Sequence, residues 1–95
     1  MAAYLVTYDL TQEASWSSYS DLTKAIEKLG GLNTQKSVWL VQYSNSATSL
    51  FEALEKHVHD KDRLFVAELA KGGSWLSRSF KGTNDWMTRN IGSAH

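Results

Sequence analysis

A single carboxylate, Asp9, ends the apolar run AAYLVTYDL at residues 2–10. Such a carboxylate can hold Mg²⁺ or Mn²⁺, and the ion then generates hydroxide and neutralises developing charge while a phosphodiester is hydrolysed. One Asp per chain is too few for this chemistry unless a two-fold axis supplies a second. The alternative is an Asx-turn, in which Asp9 accepts hydrogen bonds from the amides of Thr11 or Gln12. Asp9 is therefore either a catalytic, metal-binding residue or a turn residue.

Basic side chains are concentrated near the C-terminus, where they could contact phosphates. Residues 1–70 hold six Lys or Arg against nine Asp or Glu, a net charge of −3. Residues 71–95 have a net charge of +3, with Asp85 as the only acid. The candidate phosphate contacts are Lys71, Arg78, Lys81 and Arg89. The alternative is that this small patch pairs with the acidic remainder of the chain or of a partner.

Other residues that could bind a metal, act as nucleophiles or form aromatic contacts give weaker indications of function. His57 and His59 are two positions apart, so on a helix they point in different directions and do not chelate one ion. No serine lies in a G-x-S-x-G motif, and the Lys-Gly pairs lack the spacing of a phosphate-binding loop. Of the tryptophans, Trp39 is expected in the core, and Trp75 and Trp86 at a dimer contact.

Length and composition limit the class of protein. Ninety-five residues form one domain, which buries a modest fraction of its surface and gains from a partner subunit. The chain has no Cys, which excludes disulfides and thiolate metal sites. No signal peptide and no apolar run of membrane-spanning length is visible, so we expect a cytoplasmic protein with no membrane partner.

The hydrophobic pattern predicts the order strand, helix, hairpin, helix, strand and tail. Alternation predicts strands at residues 3–9, 36–44 and 63–69, with a short strand before the second. Helical spacing predicts helices over residues 19–29 and after Ser46 or Ser49. Right-handed crossovers convert this order into an α+β, ferredoxin-like βαββαβ sandwich. We assign residues 1–70 to this core and residues 71–95 to a C-terminal arm of the same domain, with a second copy covering the free sheet face.

Three segments in this order carry a resemblance to a known family: YLVTYDL, TQKSVWLV and HDKDRLFVAEL. Over roughly residues 3–70 the chain resembles the small CRISPR-associated adaptation subunit, the second of the two core integration proteins. It resembles more closely the shorter stand-alone ferredoxin-fold relatives of phages and bacteria, called SinR-like. The family's hairpin pattern is matched by Gln35, Ser37, Val38 and Trp39.

This resemblance implies a homodimer packed through its sheets, with one Asp from each first strand facing its mate. The matching residue is Asp9. In some members this pair is a divalent-metal site for endonuclease activity, whereas others only bind nucleic acid. The resemblance therefore implies DNA or RNA as partner and Mg²⁺ or Mn²⁺ as cofactor, if the protein is an enzyme.

Two departures favour a different class of function. The first helix has Lys24 and Lys28 where the family often has several Arg, and Leu40 follows Trp39 where an acid is common. Together with the zero net charge, the missing Arg residues favour a non-catalytic protein–protein interaction module of a phage or mobile element that acts on a host factor.

Overall fold

Alternating apolar residues at the start of the chain form the first strand, β1 (Ala2–Asp9). The computed structural model describes residues 1–11 and 15–94, without the side chains of residues 15–19. The elements that follow in chain order are α1 (Ser15–Lys28), β2 (Leu32–Gln35), β3 (Val38–Tyr43), α2 (Ala47–Glu55), β4 (Arg63–Leu69) and α3 (Thr83–Asn90). None of the described helices is long and apolar enough to cross a membrane.

The four strands form one antiparallel sheet in the order β2-β3-β1-β4. β1 lies in the interior of the sheet, with Val6 paired to Trp39 on one side and to Val66 on the other. Because neither neighbour of β1 is its successor in sequence, α1 and α2 serve as connections between non-adjacent strands. This α+β arrangement is compatible with a ferredoxin-like fold.

The larger of two apolar cores lies on one face of the sheet. Trp39 is buried there, as the sequence predicted, and its Nε1 donates a hydrogen bond of 3.1 Å to the Tyr8 hydroxyl. Fully burying one of the Val, Leu or Ile side chains of this core stabilises the fold by about 1.5–3 kcal/mol. The buried members of this core are Tyr4, Val6, Tyr8, Leu22, Ile26, Trp39, Val41, Leu50 and Leu54.

The opposite face of the sheet carries a smaller core formed with the C-terminal segment. Met87 and Ile91, four residues apart, pack against Ala3 and Leu40. The sequence analysis expected a second copy of the chain to cover this face, and part of it is covered by the chain's own α3. The i, i+4 spacing of Met87 and Ile91 explains how one helix face makes this contact.

Most strand predictions and the α2 cap are confirmed, and two boundaries were wrong. β4 matches its predicted range, and the Ser46 hydroxyl accepts a hydrogen bond of 3.1 Å from the Ser49 amide at the start of α2. α1 begins at residue 15 rather than 19, because the apolar stripe of Leu22 and Ile26 marks only the part of the helix that packs on the sheet. The predicted strand at residues 36–44 begins later, at Val38, because a turn precedes β3.

Candidate nucleic-acid interface

The C-terminal segment crosses the sheet and returns, and this path positions the basic side chains. The chain turns after β4, where the Gly73 amide donates to the Ala70 carbonyl at 2.9 Å. It reaches the far edge of the sheet where the Phe80 amide donates to the Thr34 carbonyl of β2, also at 2.9 Å. α3 then leads back, and the Gly72 amide donates to the Ile91 carbonyl at 2.7 Å.

This closure brings two of the four predicted phosphate contacts to one cleft. Lys71 precedes the bonded Gly72, and Arg89 lies in the last turn of α3. Both side chains are exposed and line a cleft of about 450 Å³, which we call the cationic cleft. Gly72 adopts a φ of +83°, a conformation that favours glycine, so the turn that presents Lys71 depends on this residue. The other polar side chains lining the cleft are Gln42, Tyr43, Ser44, Asn45, Glu68 and Asn90.

Hydrogen bonds fix the walls of the cationic cleft. The Gln42 side-chain amide donates to the Asn90 side chain, which itself donates to the Trp86 carbonyl at 2.8 Å. Amides and hydroxyls such as these are suitable neighbours for a phosphate oxygen, because they can donate hydrogen bonds without adding charge. The cleft is therefore a polar, positively charged concavity with ordered walls.

A buried tyrosine supports the loop at the rim of the cleft. Burial raises the pKa of the Tyr4 hydroxyl, and the nearby charge of Glu68 and the Tyr43 ring raise it further. The hydroxyl therefore remains protonated and donates a hydrogen bond of 2.7 Å to the Asn45 carbonyl. Glu68 also supplies a negative charge at the cleft and offsets part of the field of its two cations.

Arg78 and Lys81, the other two predicted phosphate contacts, lie outside the cationic cleft. Both are exposed on residues 73–82, which we call the C-terminal loop and which precede α3. The eight residues of α3 span about 12 Å at 1.5 Å per residue, so the loop and the cleft lie at its two ends. The structure thus divides the four basic residues into two neighbouring groups.

Trp75 and Trp86 contact the smaller core of the same chain. Both are half-buried, and the Trp75 indole donates a hydrogen bond of 2.8 Å to the Gly92 carbonyl. These intrachain contacts account for part of the burial of each tryptophan side chain. Their predicted place at a dimer contact stays a prediction.

Asp9 lies at the end of the sheet opposite the cationic cleft. Its carboxylate is exposed, and Arg63 is its partner in the β1–β4 register. Ala2 lines the cleft, and the seven residue steps to Asp9 along β1 span about 23 Å. Among the described residues, no group of three or more His, Asp or Glu side chains is placed to hold a metal ion. Within one chain, the predicted catalytic residue Asp9 and the cationic cleft therefore lie at opposite ends of the sheet.

The acid that anchors the segment after β1 is Asp62, which the sequence analysis did not single out. One oxygen of this buried carboxylate accepts hydrogen bonds from the Thr11 amide at 2.9 Å and the Thr11 hydroxyl at 3.2 Å. The other accepts from the His59 amide at 2.8 Å. The prediction that the Thr11 amide bonds to Asp9 was therefore wrong, and Gln12 lies outside the described residues. The bond to His59 spans three residues and could be found as a local turn, whereas Thr11 is 51 positions away.

Burial and hydrogen bonding have opposing effects on the Asp62 carboxyl. Burial raises the pKa, but the His59 and Thr11 amides and the Thr11 hydroxyl, all of which stabilise the anion, lower it more. The net effect is a lowered pKa, so Asp62 is ionised at neutral pH. Asp62 and Arg63 also line a cavity of about 470 Å³ with His59 and Asp60.

No protein-family model matches this chain. The resemblance of residues 3–70 to the adaptation subunit therefore remains an expectation from sequence. The features that bear on function are the cationic cleft, the basic C-terminal loop and the exposed Asp9.

Proposed function

We propose that this protein binds nucleic acid through the cationic cleft and the adjoining C-terminal loop. The observation that carries the proposal is that Lys71 and Arg89, 18 positions apart, line one polar cleft. Phosphate groups are the natural ligand class for two exposed cations surrounded by hydrogen-bond donors. Arg78 and Lys81 extend this surface along the chain.

The expected binding is moderate and depends on salt. Each phosphate neutralised by Lys or Arg contributes about 0.7 for single strands, or 0.9 for duplexes, to the slope of log K against log salt. Four cations on the C-terminal segment allow a slope no steeper than about −3 to −4. The zero net charge of the whole chain is consistent with a local contact rather than a basic coat.

The test is fluorescence anisotropy with labelled single- and double-stranded DNA and RNA at 50 and 200 mM salt. The double variant Lys71→Ala/Arg89→Ala is expected to weaken binding about tenfold at low salt and to reduce the slope by about 1.4–1.8. The matched control is Lys56→Ala/Lys61→Ala, which removes two exposed cations between α2 and β4. Absence of binding by the native chain at 50 mM salt, or an equal loss in both double variants, would contradict the proposal.

We also propose, on the sequence resemblance, that the protein forms a homodimer in which two copies of Asp9 hold Mg²⁺ or Mn²⁺. The support from the fold is that Asp9 is exposed at a strand end and that the Thr11 amide is bonded to Asp62 instead. Among the described residues no group of three or more His, Asp or Glu side chains is placed to hold a metal ion, so this proposal requires the second Asp9. The ion would supply hydroxide for phosphodiester hydrolysis.

The metal-dependent step is tested by nuclease assays with Mn²⁺ and Mg²⁺ on the native chain, Asp9→Asn and the exposed α1 control Asp21→Asn. Light scattering on each sample gives the oligomeric state. Cleavage that needs a dimer and is abolished only in Asp9→Asn is the expected result. Cleavage of equal rate in all three proteins, or a monomer that cleaves, would exclude the paired Asp9 site.

Exposed apolar side chains favour a second candidate, a protein–protein interaction module. Phe65 on the edge strand β4 is 61% exposed and Leu76 on the C-terminal loop is 83% exposed. Side chains of this type at a surface are common in protein interfaces. In the anisotropy experiment this candidate predicts no nucleic-acid binding at low salt.

A further inference from the structure

Phe80 is half exposed, and hydrogen bonds hold its backbone in place. Phe80 is 52% exposed. Its amide donates to the Thr34 carbonyl at 2.9 Å, and its carbonyl accepts from the Thr83 amide at 3.2 Å. The backbone of Phe80 is thus bonded to β2 on one side and to the start of α3 on the other. The backbone position of Phe80 is therefore fixed, while about half of the residue stays exposed.

Further hydrogen bonds order the C-terminal loop around Phe80. The Gln35 side chain donates to the Ser79 hydroxyl at 3.3 Å, and the Asn84 side chain donates to the Ser77 carbonyl at 3.3 Å. The Thr34 and Thr83 hydroxyls share a buried hydrogen bond of 2.5 Å beneath the loop. A ligand that meets such a preformed loop has a smaller ordering cost than one that meets a flexible loop.

Two cationic residues lie close to Phe80 in the sequence. Arg78 and Lys81 are both exposed, and no acidic residue occurs between residue 69 and residue 84. A hydrophobic protein partner would gain nothing from these two charges, whereas a polyanion would be attracted to them. The combination of an aromatic face with adjacent cations is the arrangement by which proteins hold unpaired bases and their phosphates.

We infer that Phe80 is a stacking platform for an unpaired base, and that the interface therefore prefers single-stranded nucleic acid. In a duplex the base faces are stacked on one another, so a projecting ring has no face to contact except at an end or a bulge. A single strand offers a free face to Phe80 while Arg78 and Lys81 meet the backbone. This inference rests on the proposed nucleic-acid binding and adds that the preferred ligand is single-stranded.

The test compares a labelled oligo(dT), an oligo(U) of equal length and a blunt hairpin duplex with the native chain at 50 mM salt. The native chain is expected to bind both single strands more tightly than the duplex. Phe80→Ala is expected to lose about 5- to 150-fold in single-strand affinity, the range measured for the loss of one stacked base. Duplex affinity should change less than twofold. A difference in affinity between oligo(dT) and oligo(U) would show which of the two strands the protein prefers, and the inference covers both.

Three further variants separate stacking from a general change in the loop. Phe80→Leu keeps apolar bulk without an aromatic face and should lose affinity as Phe80→Ala does, whereas Phe80→Tyr should retain the native affinity. Phe65→Ala removes the other exposed phenylalanine and should bind as the native chain does. Circular dichroism checks that each variant is folded.

The outcomes distinguish this inference from the proposed function. If binding falls in Lys71→Ala/Arg89→Ala but not in Phe80→Ala, nucleic-acid binding holds and the stacking site is excluded. An equal loss of duplex and single-strand binding in Phe80→Leu also excludes it. If the native chain binds no nucleic acid at 50 mM salt, both the proposed function and this inference fail.

Discussion

The two faces of the sheet differ in how much they bury and in which charges they carry. Among the side chains that the structure describes, nine buried residues form the core beneath α1 and α2, and four form the core beneath the C-terminal segment. The second face is also where the chain concentrates its net positive charge, through residues 71–95. The difference in the size of the two cores predicts that the face beneath α1 and α2 supplies more of the stability than the face beneath the C-terminal segment.

Truncation of a core side chain on each face tests this division most strongly. Leu54→Ala, on the larger core, should lower the free energy of unfolding by about 3–5 kcal/mol, since Leu54 is only 1% exposed. Met87→Ala, on the smaller core, should cost at least 1 kcal/mol less. Urea unfolding followed by circular dichroism measures both values. Equal costs for the two variants would mean that the faces share the stability evenly.

Substitution of Asp62 tests how much the hydrogen bonds of this buried carboxylate contribute to stability. Asp62→Asn replaces one accepting oxygen by a donor, so an amide of Thr11 or His59 loses its partner, and we expect a cost of about 1–3 kcal/mol at pH 7.

The pH dependence of that cost has a defined sign. Because the folded-state pKa of Asp62 is lowered, its charged form stabilises the protein above the unfolded value of about 3.9. This contribution is lost as the pH falls through the folded-state pKa. The stability difference between the native chain and Asp62→Asn should therefore be largest near neutral pH and shrink in acid, as measured by urea unfolding at several pH values. A difference that does not change with pH would show that the charge of Asp62 is not what stabilises the fold.

The smallest expected effect concerns the charge of the second face. Asp85→Asn removes the only acid of residues 71–95 and raises their net charge from +3 to +4. Nucleic-acid affinity at 50 mM salt should rise about two- to threefold. Loss of a favourable charge in the first turn of α3 should lower the free energy of unfolding by about 0.3–1 kcal/mol. Unchanged affinity would place the ligand away from α3.

Local patterns were sufficient to predict the strands and their faces. Tyr4, Val6 and Tyr8 lie in the larger core, and Ala3 and Leu5 belong to the opposite face, as alternation along β1 requires. The identities of the cationic residues were also visible from the sequence.

The arrangement of the C-terminal segment could not be read from local patterns. The bonds from Phe80 to Thr34 and from Gly72 to Ile91 join residues far apart in the chain, and no periodicity encodes them. The same holds for Thr11 and Asp62. The sequence therefore indicated which basic residues could contact phosphates, but not that Lys71 and Arg89 line one cleft while Asp9 lies at the other end of the sheet.

The bond from Gly72 to Ile91 closes the C-terminal segment at its own base, and the Trp75 indole adds a second tie to Gly92. A segment closed in this way can detach from the sheet as one cooperative unit while β1 and its neighbours remain paired. The Phe80 amide, bonded to Thr34 of β2, would then exchange with deuterium at a rate set by the opening of the segment rather than by global unfolding, whereas the Gly72 amide, bonded to Ile91 within the segment, would stay protected. A ligand that holds the segment against the sheet would slow exchange at Phe80, so this amide would report occupancy of the surface.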